Sequence, residues 1–278
     1  MSNLLKALIR AVQNEDQELL QLYQSNNRAN AMGDALEEYI KDIFAGISPN
    51  NRKGEVIDSH SSVFSYLGNP NHPPDCILRA GDAIEVKKVM GIRSGLALNS
   101  SYPKSKLHVD DSRITQPCRN CEKWTEKDII YAVGCVPKNK LKILWFVYGD
   151  CYAARRETYE KIHSMVKSSL ANGDIETAET NELAQVRRVD PLGITSLRVR
   201  GMWHIDNPAN VFDYLNAINM EKEFQIVAIM QEAKYLSFPD EDRKNIESNK
   251  SITIRSEKIK SPDNPAKLIN IKLITFSK

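Results

Sequence analysis

The chain has 278 residues, 41% of them apolar and 27% charged, with a formal net charge of +2. That length buries a full core and fits one large domain or two small ones. The composition is ordinary for a globular protein, and so small a net charge does not by itself announce a nucleic-acid partner. No apolar run approaches the roughly 20 residues of a transmembrane helix. Met1–Lys6 lacks a signal-peptide core, so a cytoplasmic location is expected.

The first 25 residues read as a helix, with Leu4, Leu5, Leu8, Ile9, Val12, Leu19, Leu20 and Leu22 on an uneven apolar stripe. A second helix is predicted from about Asp34 to Phe44, burying Leu36, Tyr39, Ile40, Ile43 and Phe44 and ending at Gly46 and Pro49. Asp34-x-x-Glu37 is spaced as a capping box. Glu37 also flanks the apolar stripe, whereas Glu38 points nearly opposite, so a helix packed on a sheet would deliver Glu37 toward that sheet, with Glu38 in reserve. Residues 50–73, rich in Asn, Ser, His, Gly and Pro, read as loop around a short strand near Val63–Leu67.

Pro74–Lys87 is the most informative stretch. Cys76-Ile77-Leu78 and Ala83-Ile84-Glu85-Val86-Lys87 are two short apolar strands joined by a Gly-Asp turn, which predicts a hairpin. Alternation along a strand puts Glu85 and Lys87 on one face and Ile84 and Val86 on the other, and the hairpin brings Asp75 to the polar face. Two carboxylates and an ammonium on a sheet edge suit a hard divalent cation beside a phosphate. The bland reading is a surface hairpin with charged outward residues. An E-x-K triplet alone is weak, and a second one, Glu232-Ala233-Lys234, follows the apolar run Phe224–Met230 without a Pro-Asp strand before it.

From Val86 to Lys106 there is no acidic residue, but Lys87, Lys88, Arg93, Lys104 and Lys106 are present. This is a local basic patch suited to phosphates, or else a solvated basic loop. Within it, Leu96–Lys104 mixes small hydroxyls, an amide, an aromatic and a lysine, a set that can contact phosphates and base edges. Arg93, Asn99, Ser100, Ser101, Tyr102, Lys104 and Lys106 are the resulting DNA-contact candidates. Cys118-x-x-Cys121 has the spacing of a metal knuckle but no second paired cluster, so the five cysteines are read as reduced, mostly buried thiols.

Further on, Glu126–Gly134 is predicted helical, with Trp124 and Tyr131 as core aromatics. Leu141–Gly149 reads as a strand buried on both faces, and Arg156–Leu170 as a helix ended by Asn172-Gly173. Strands are predicted near Ser196–Ile205, Phe224–Met230, Ile252–Ile254 and Leu268–Phe276. Arg187, Arg188, Arg198, Arg200 and Lys222 lie in this last third as further basic residues. No P-loop or G-x-G-x-x-G occurs, which sets nucleotide-metabolising enzymes aside.

The order of these parts, with Pro74-Asp75 and Glu85-Val86-Lys87 at its centre, resembles type II restriction endonucleases of the PD-(D/E)xK superfamily. More closely, it resembles the NgoPII group. The residues carrying that resemblance are Asn27–Asn30, Gly33–Glu37, the Pro74-Asp75 and Glu85–Lys87 pair, Leu98–Lys104 and Trp124–Tyr131. The resemblance implies an α/β (α+β) restriction-endonuclease-like core, a mixed central sheet flanked by helices, with a β-rich C-terminal extension. A single domain over 1–278 is expected, its catalytic core about 25–172 and its β-rich part about 173–278. The resemblance also implies Mg²⁺ held by Asp75 and Glu85 with Glu37 assisting, Lys87 as the catalytic cation, and 5′-phosphate products. Its implied partners are double-stranded DNA, a second copy in a homodimer, and a cognate DNA methyltransferase; GGCC is the implied target. Two alternatives stand beside it: a repair or recombination nuclease of the same fold, and a non-catalytic DNA-binding protein.

Overall fold

The computed structural model describes residues 1–13, 31–47, 53–69, 72–171, 178, 180 and 182–278. The expected apolar positions Leu19, Leu20 and Leu22 and the segment Asn27–Asn30 lie outside the described residues. Helix α1 (Leu4–Gln13) buries Leu4, Leu5, Leu8, Ala11 and Val12, one stripe at helical spacing. Helix α2 (Ala31–Ala45) buries Leu36, Tyr39, Ile40, Ile43 and Phe44 as the periodicity predicts. It stops where Gly46 takes φ +75, a left-handed cap that glycine adopts without Cβ strain. The Gly46 and Ile47 amides return to Asp42 O, and Arg10 of α1 donates to the carbonyls of Ile43 and Phe44. Because α2 begins at Ala31, Asp34 lies within the helix and Asp34-x-x-Glu37 is not a capping box.

The expected loop before the hairpin is largely helix, α3 (Lys53–Val63), followed by strand β1 (Phe64–Asn69). Its weakly amphipathic, Ser- and Gly-containing sequence carries little helical signal. Tertiary contacts supply the rest: buried His60 bonds Asp42 of α2 at 2.8 Å, and α3 packs on both α2 and β1.

The hairpin forms as expected from β2 (His72–Leu78) and β3 (Ala83–Val89), antiparallel with Cys76 opposite Ile84. Its turn closes with Leu78 N–H donating to Asp82 O and Gly81 N–H to Leu78 O; the left-handed residue is Ala80, at φ +51. Short strands β4 (Leu96–Ala97) and β5 (Lys106–His108) and helix α4 (Gln116–Asn120) fill the crossover to β6 (Glu126–Cys135).

Strand β6 replaces the helix predicted for Glu126–Gly134. It runs parallel to β3 and antiparallel to β7 (Ile143–Tyr148), the expected fully buried strand. Ile129, Ile130, Tyr131, Ala132 and Val133 are all buried, so the segment lacks the alternation that separates strands from helices. After β7 come a one-turn helix α5 (Gly149–Tyr152) and α6 (Arg156–Ala171). The small pairs β8 (Ala184–Arg187) with β9 (Ser196–Val199), and β10 (His204–Ile205) with β4, follow, then α7 (Pro208–Val211). Strand β11 (Gln225–Gln231) lies parallel to β7. Helices α8 (Glu232–Ser237) and α9 (Asp240–Glu247) lead to β12 (Ile252–Lys260) and β13 (Leu268–Ser277).

The main sheet thus runs β1-β2-β3-β6-β7-β11-β13-β12, with β5 attached to β6. The C-terminal strands β11, β13 and β12 extend the sheet that carries the hairpin. The class is mixed α/β, a large mixed sheet flanked by helices with a β-rich C-terminal part. Helix α2 packs on β3, and the side chain of Leu36 sits where a Cβ on Gly134 of β6 would fall. Among the described residues no helix is long and apolar enough to cross a membrane.

Candidate active site

Register sets the geometry. With Cys76 opposite Ile84, Asp75 lies opposite Glu85, and Lys87 follows two residues along the same face of β3. Lys87 Nζ sits 2.6 Å from Glu85 Oε1. The Val86 N–H donates to Asp75 Oδ2 at 2.6 Å, fixing that carboxylate against the neighbouring strand. Glu85 is 8% exposed, and among the described residues its Oε2 has no hydrogen-bond partner.

Burial and the nearby charge of Glu85, with a smaller push from Glu37, raise the Asp75 carboxyl well above the usual range against the opposing pull of Lys87 and the Val86 amide. Burial lowers Lys87, but Glu85, Asp75 and Glu37 together hold it above its ordinary value. The ammonium is therefore retained throughout the neutral range. When both are ionised, the two neighbouring carboxylates outweigh the one cation, an excess that a divalent cation would neutralise.

Helix α2 brings Glu37 into the electrostatic range of this group but pairs it with Lys41 at 2.8 Å, so it does not join Asp75 and Glu85 directly. Glu38 bonds the same lysine at 2.8 Å and does not figure among the charges acting on Asp75. Among the described residues no three Asp, Glu, His or Cys side chains converge in a metal-holding group. Two carboxylates are nevertheless a donor set that suits Mg²⁺, a hard cation that takes one or two carboxylates and completes its shell with waters and phosphate.

The expected DNA contacts are largely engaged inside the fold. Lys104 is buried, paired with Asp111 and 4.4 Å from the centre of the Tyr102 ring. Lys106 pairs with Asp128, and Arg93 with Asp213 at 2.6 Å. With Lys87 on Glu85, four of the five cations in the acid-free segment have carboxylate partners, so the basic patch is far less basic in space than along the chain. Tyr102 stacks on Tyr159 at 5.5 Å and donates to Glu160. Asn99 is exposed at φ +52, and its carbonyl accepts from Trp203 N–H. Ser100 lines a small cleft with Arg113, His163 and Arg200. Ser101 faces another cleft, beside Glu85.

Sequence reading missed the use of the second E-x-K triplet. Lys234 bonds Asp82 at 2.6 Å and Asp128 at 2.7 Å, and Tyr148 donates to Asp82. The network ties the hairpin turn to β6, β7 and α8, a structural role for a triplet outside the site. All five cysteines are free, and Cys118 and Cys121 have no further ligand cluster among the described residues.

Comparison with known proteins finds likeness along nearly the whole chain. A type II restriction enzyme NgoPII from Neisseria gonorrhoeae is 52% identical over 276 residues, 99% of each chain. No solved structure matches. The family model described as NgoPII restriction endonuclease matches residues 2–260, and the chain belongs to that family of restriction endonucleases.

Proposed function

We propose that the chain cleaves both strands of a short palindromic DNA duplex, GGCC by family resemblance, through Mg²⁺-dependent hydrolysis centred on Asp75, Glu85 and Lys87. The observation that carries the reading is the pair of neighbouring carboxylates on β2 and β3, Glu85 buried and Asp75 partly so, with Lys87 Nζ 2.6 Å from Glu85. The Val86 amide holds Asp75 in place, and Glu85 on the neighbouring strand supplies the second carboxylate. Mg²⁺ held by these two residues would stabilise charge on the phosphate and lower the pKa of a bound water. Lys87, kept as an ammonium by its carboxylate neighbours, orients the attacking water and balances charge on the phosphate. Glu37 adjusts the field at Asp75 from α2. The products are 5′-phosphate and 3′-hydroxyl ends.

A palindromic target calls for a two-fold homodimer, and a companion DNA methyltransferase would shield the same sequence in the host. The test is digestion of unmethylated phage-sized DNA with Mg²⁺ or EDTA, by the wild type, Glu85→Ala and Lys87→Ala. Discrete fragments ending at GGCC, dependent on Mg²⁺ and absent with both variants, are expected. Cutting that survives both substitutions would remove the hairpin from the chemistry, and discrete fragments with other ends would overturn the target.

A further inference from the structure

A second buried oxygen belongs to the cleft that Glu85 lines. Ser101 Oγ is shielded from solvent and, like Glu85 Oε2, has no hydrogen-bond partner among the described residues. Both residues line one cleft, together with Pro73, Leu98, Tyr102, Lys104, Ile129 and Tyr131. Half of those other residues are apolar, and the space is about that of a single water.

A buried hydroxyl or carboxylate oxygen left unpaired costs about 1–3 kcal/mol, more when charged, so two in one cleft point to a shared partner. One water satisfies both: it donates to Glu85 Oε2 and exchanges a hydrogen bond with Ser101 Oγ. The backbone keeps Ser101 in place. Its N–H donates to Leu98 O, and the flanking segment is pinned where the Lys104 N–H donates to Tyr131 OH at 2.6 Å. Tyr131 stands opposite Glu85 across the β3–β6 ladder, so the loop is fastened to the strand beside the carboxylate.

We infer that Ser101 is a positioning residue: through one buried water it fixes the Glu85 carboxylate in the orientation that receives the divalent cation. This rests on the reading of Asp75 and Glu85 as the cation-holding pair. It differs from the expectation of Ser101 as a DNA contact, since a hydroxyl turned to a water in this cleft is not presented to a phosphate.

The experiment compares wild type, Ser101→Ala, Ser101→Thr and Glu85→Gln in three measurements. These are the Mg²⁺ concentration that half-maximally raises Tm without DNA, the cleavage rate against Mg²⁺, and duplex affinity in EDTA. Ser101→Ala is expected to shift both Mg²⁺ midpoints upward about tenfold, as loss of a hydrogen bond behind a metal ligand does. Its duplex Kd in EDTA should stay within twofold of wild type, and Ser101→Thr, which keeps the hydroxyl, should restore the midpoints. Unshifted midpoints in Ser101→Ala, a proportionate loss of DNA affinity in EDTA, or no recovery with Thr would each overturn the inference. Failure of the underlying reading looks different: wild type and Glu85→Gln would then respond to Mg²⁺ alike.

Discussion

Asp75→Asn should stabilise the metal-free protein while abolishing cleavage. Continuing the register from Cys76 opposite Ile84 brings Asp75 level with Glu85, and side chains so placed are roughly 5 Å apart. Two negative charges at that distance repel by about 3 kcal/mol at an effective dielectric of about 20. Lys87 offsets part of this, leaving about 1–2 kcal/mol to be relieved by a neutral side chain. Asn keeps an oxygen to accept the Val86 N–H that Asp75 now accepts at 2.6 Å. For a chain of this size the gain corresponds to a Tm rise of roughly 2–4 °C in EDTA. The pH dependence has a definite sign. Burial and Glu85 raise the folded-state pKa of Asp75 above its unfolded value, so the folded protein holds a proton the unfolded chain has released. Wild-type stability therefore falls as pH rises from the ordinary carboxylate range through the folded pKa. The advantage of Asn is largest above that pKa and vanishes near pH ~4. Losing several kcal/mol of charge stabilisation should slow cleavage about 10³-fold or more. Thermal unfolding at pH 5 and pH 8, with EDTA or Mg²⁺, checks the argument. A variant no more stable than wild type at pH 8 in EDTA, or one whose Tm Mg²⁺ raises as much as the wild type's, would refute it.

Three other substitutions probe the surroundings. A Cβ on Gly68 of β1 would fall 2.4 Å from Pro74 O and 2.7 Å from Asp75 O, so Gly68→Ala must displace the strand carrying Asp75. It should cost about 1–3 kcal/mol and depress cleavage well below what its folded fraction at 25 °C explains; equal losses in denaturant melts and rate assays would mean no displacement of the site. Lys104→Met, removing a buried partner of Asp111, should lower Tm while leaving the salt slope of DNA binding unchanged; a slope reduced by about 1 would show a phosphate contact instead. Lys234→Ala should destabilise by about 2 kcal/mol, since Asp82 and Asp128 lose a shared cation, yet cleave normally at a temperature where it is folded. Loss of cleavage by folded Lys234→Ala would place the second E-x-K triplet in the chemistry.

What the sequence made legible and what it hid divide by range. The hairpin is decided within fourteen residues, because period-two alternation and a turn fix both its register and the face on which Asp75, Glu85 and Lys87 meet. Helix α2 declares itself by Leu36, Tyr39, Ile40, Ile43 and Phe44 and by Gly46, all local signals. Strand β6 is buried along both faces and so shows no period, while α3 is too polar and too Ser-rich to announce a helix held by His60 and Asp42. The cations are hard to read for the same reason. Lys104, Lys106 and Arg93 look like a concentrated basic patch because no acid lies among them in the chain, yet their carboxylates stand 7, 22 and 120 residues away. The charge that a run of cations presents therefore depends on which carboxylates folding brings to it. Among the catalytic candidates, Lys87 meets its carboxylate two residues away on the same strand, and it is the cation whose place in the site could be read before the fold was known.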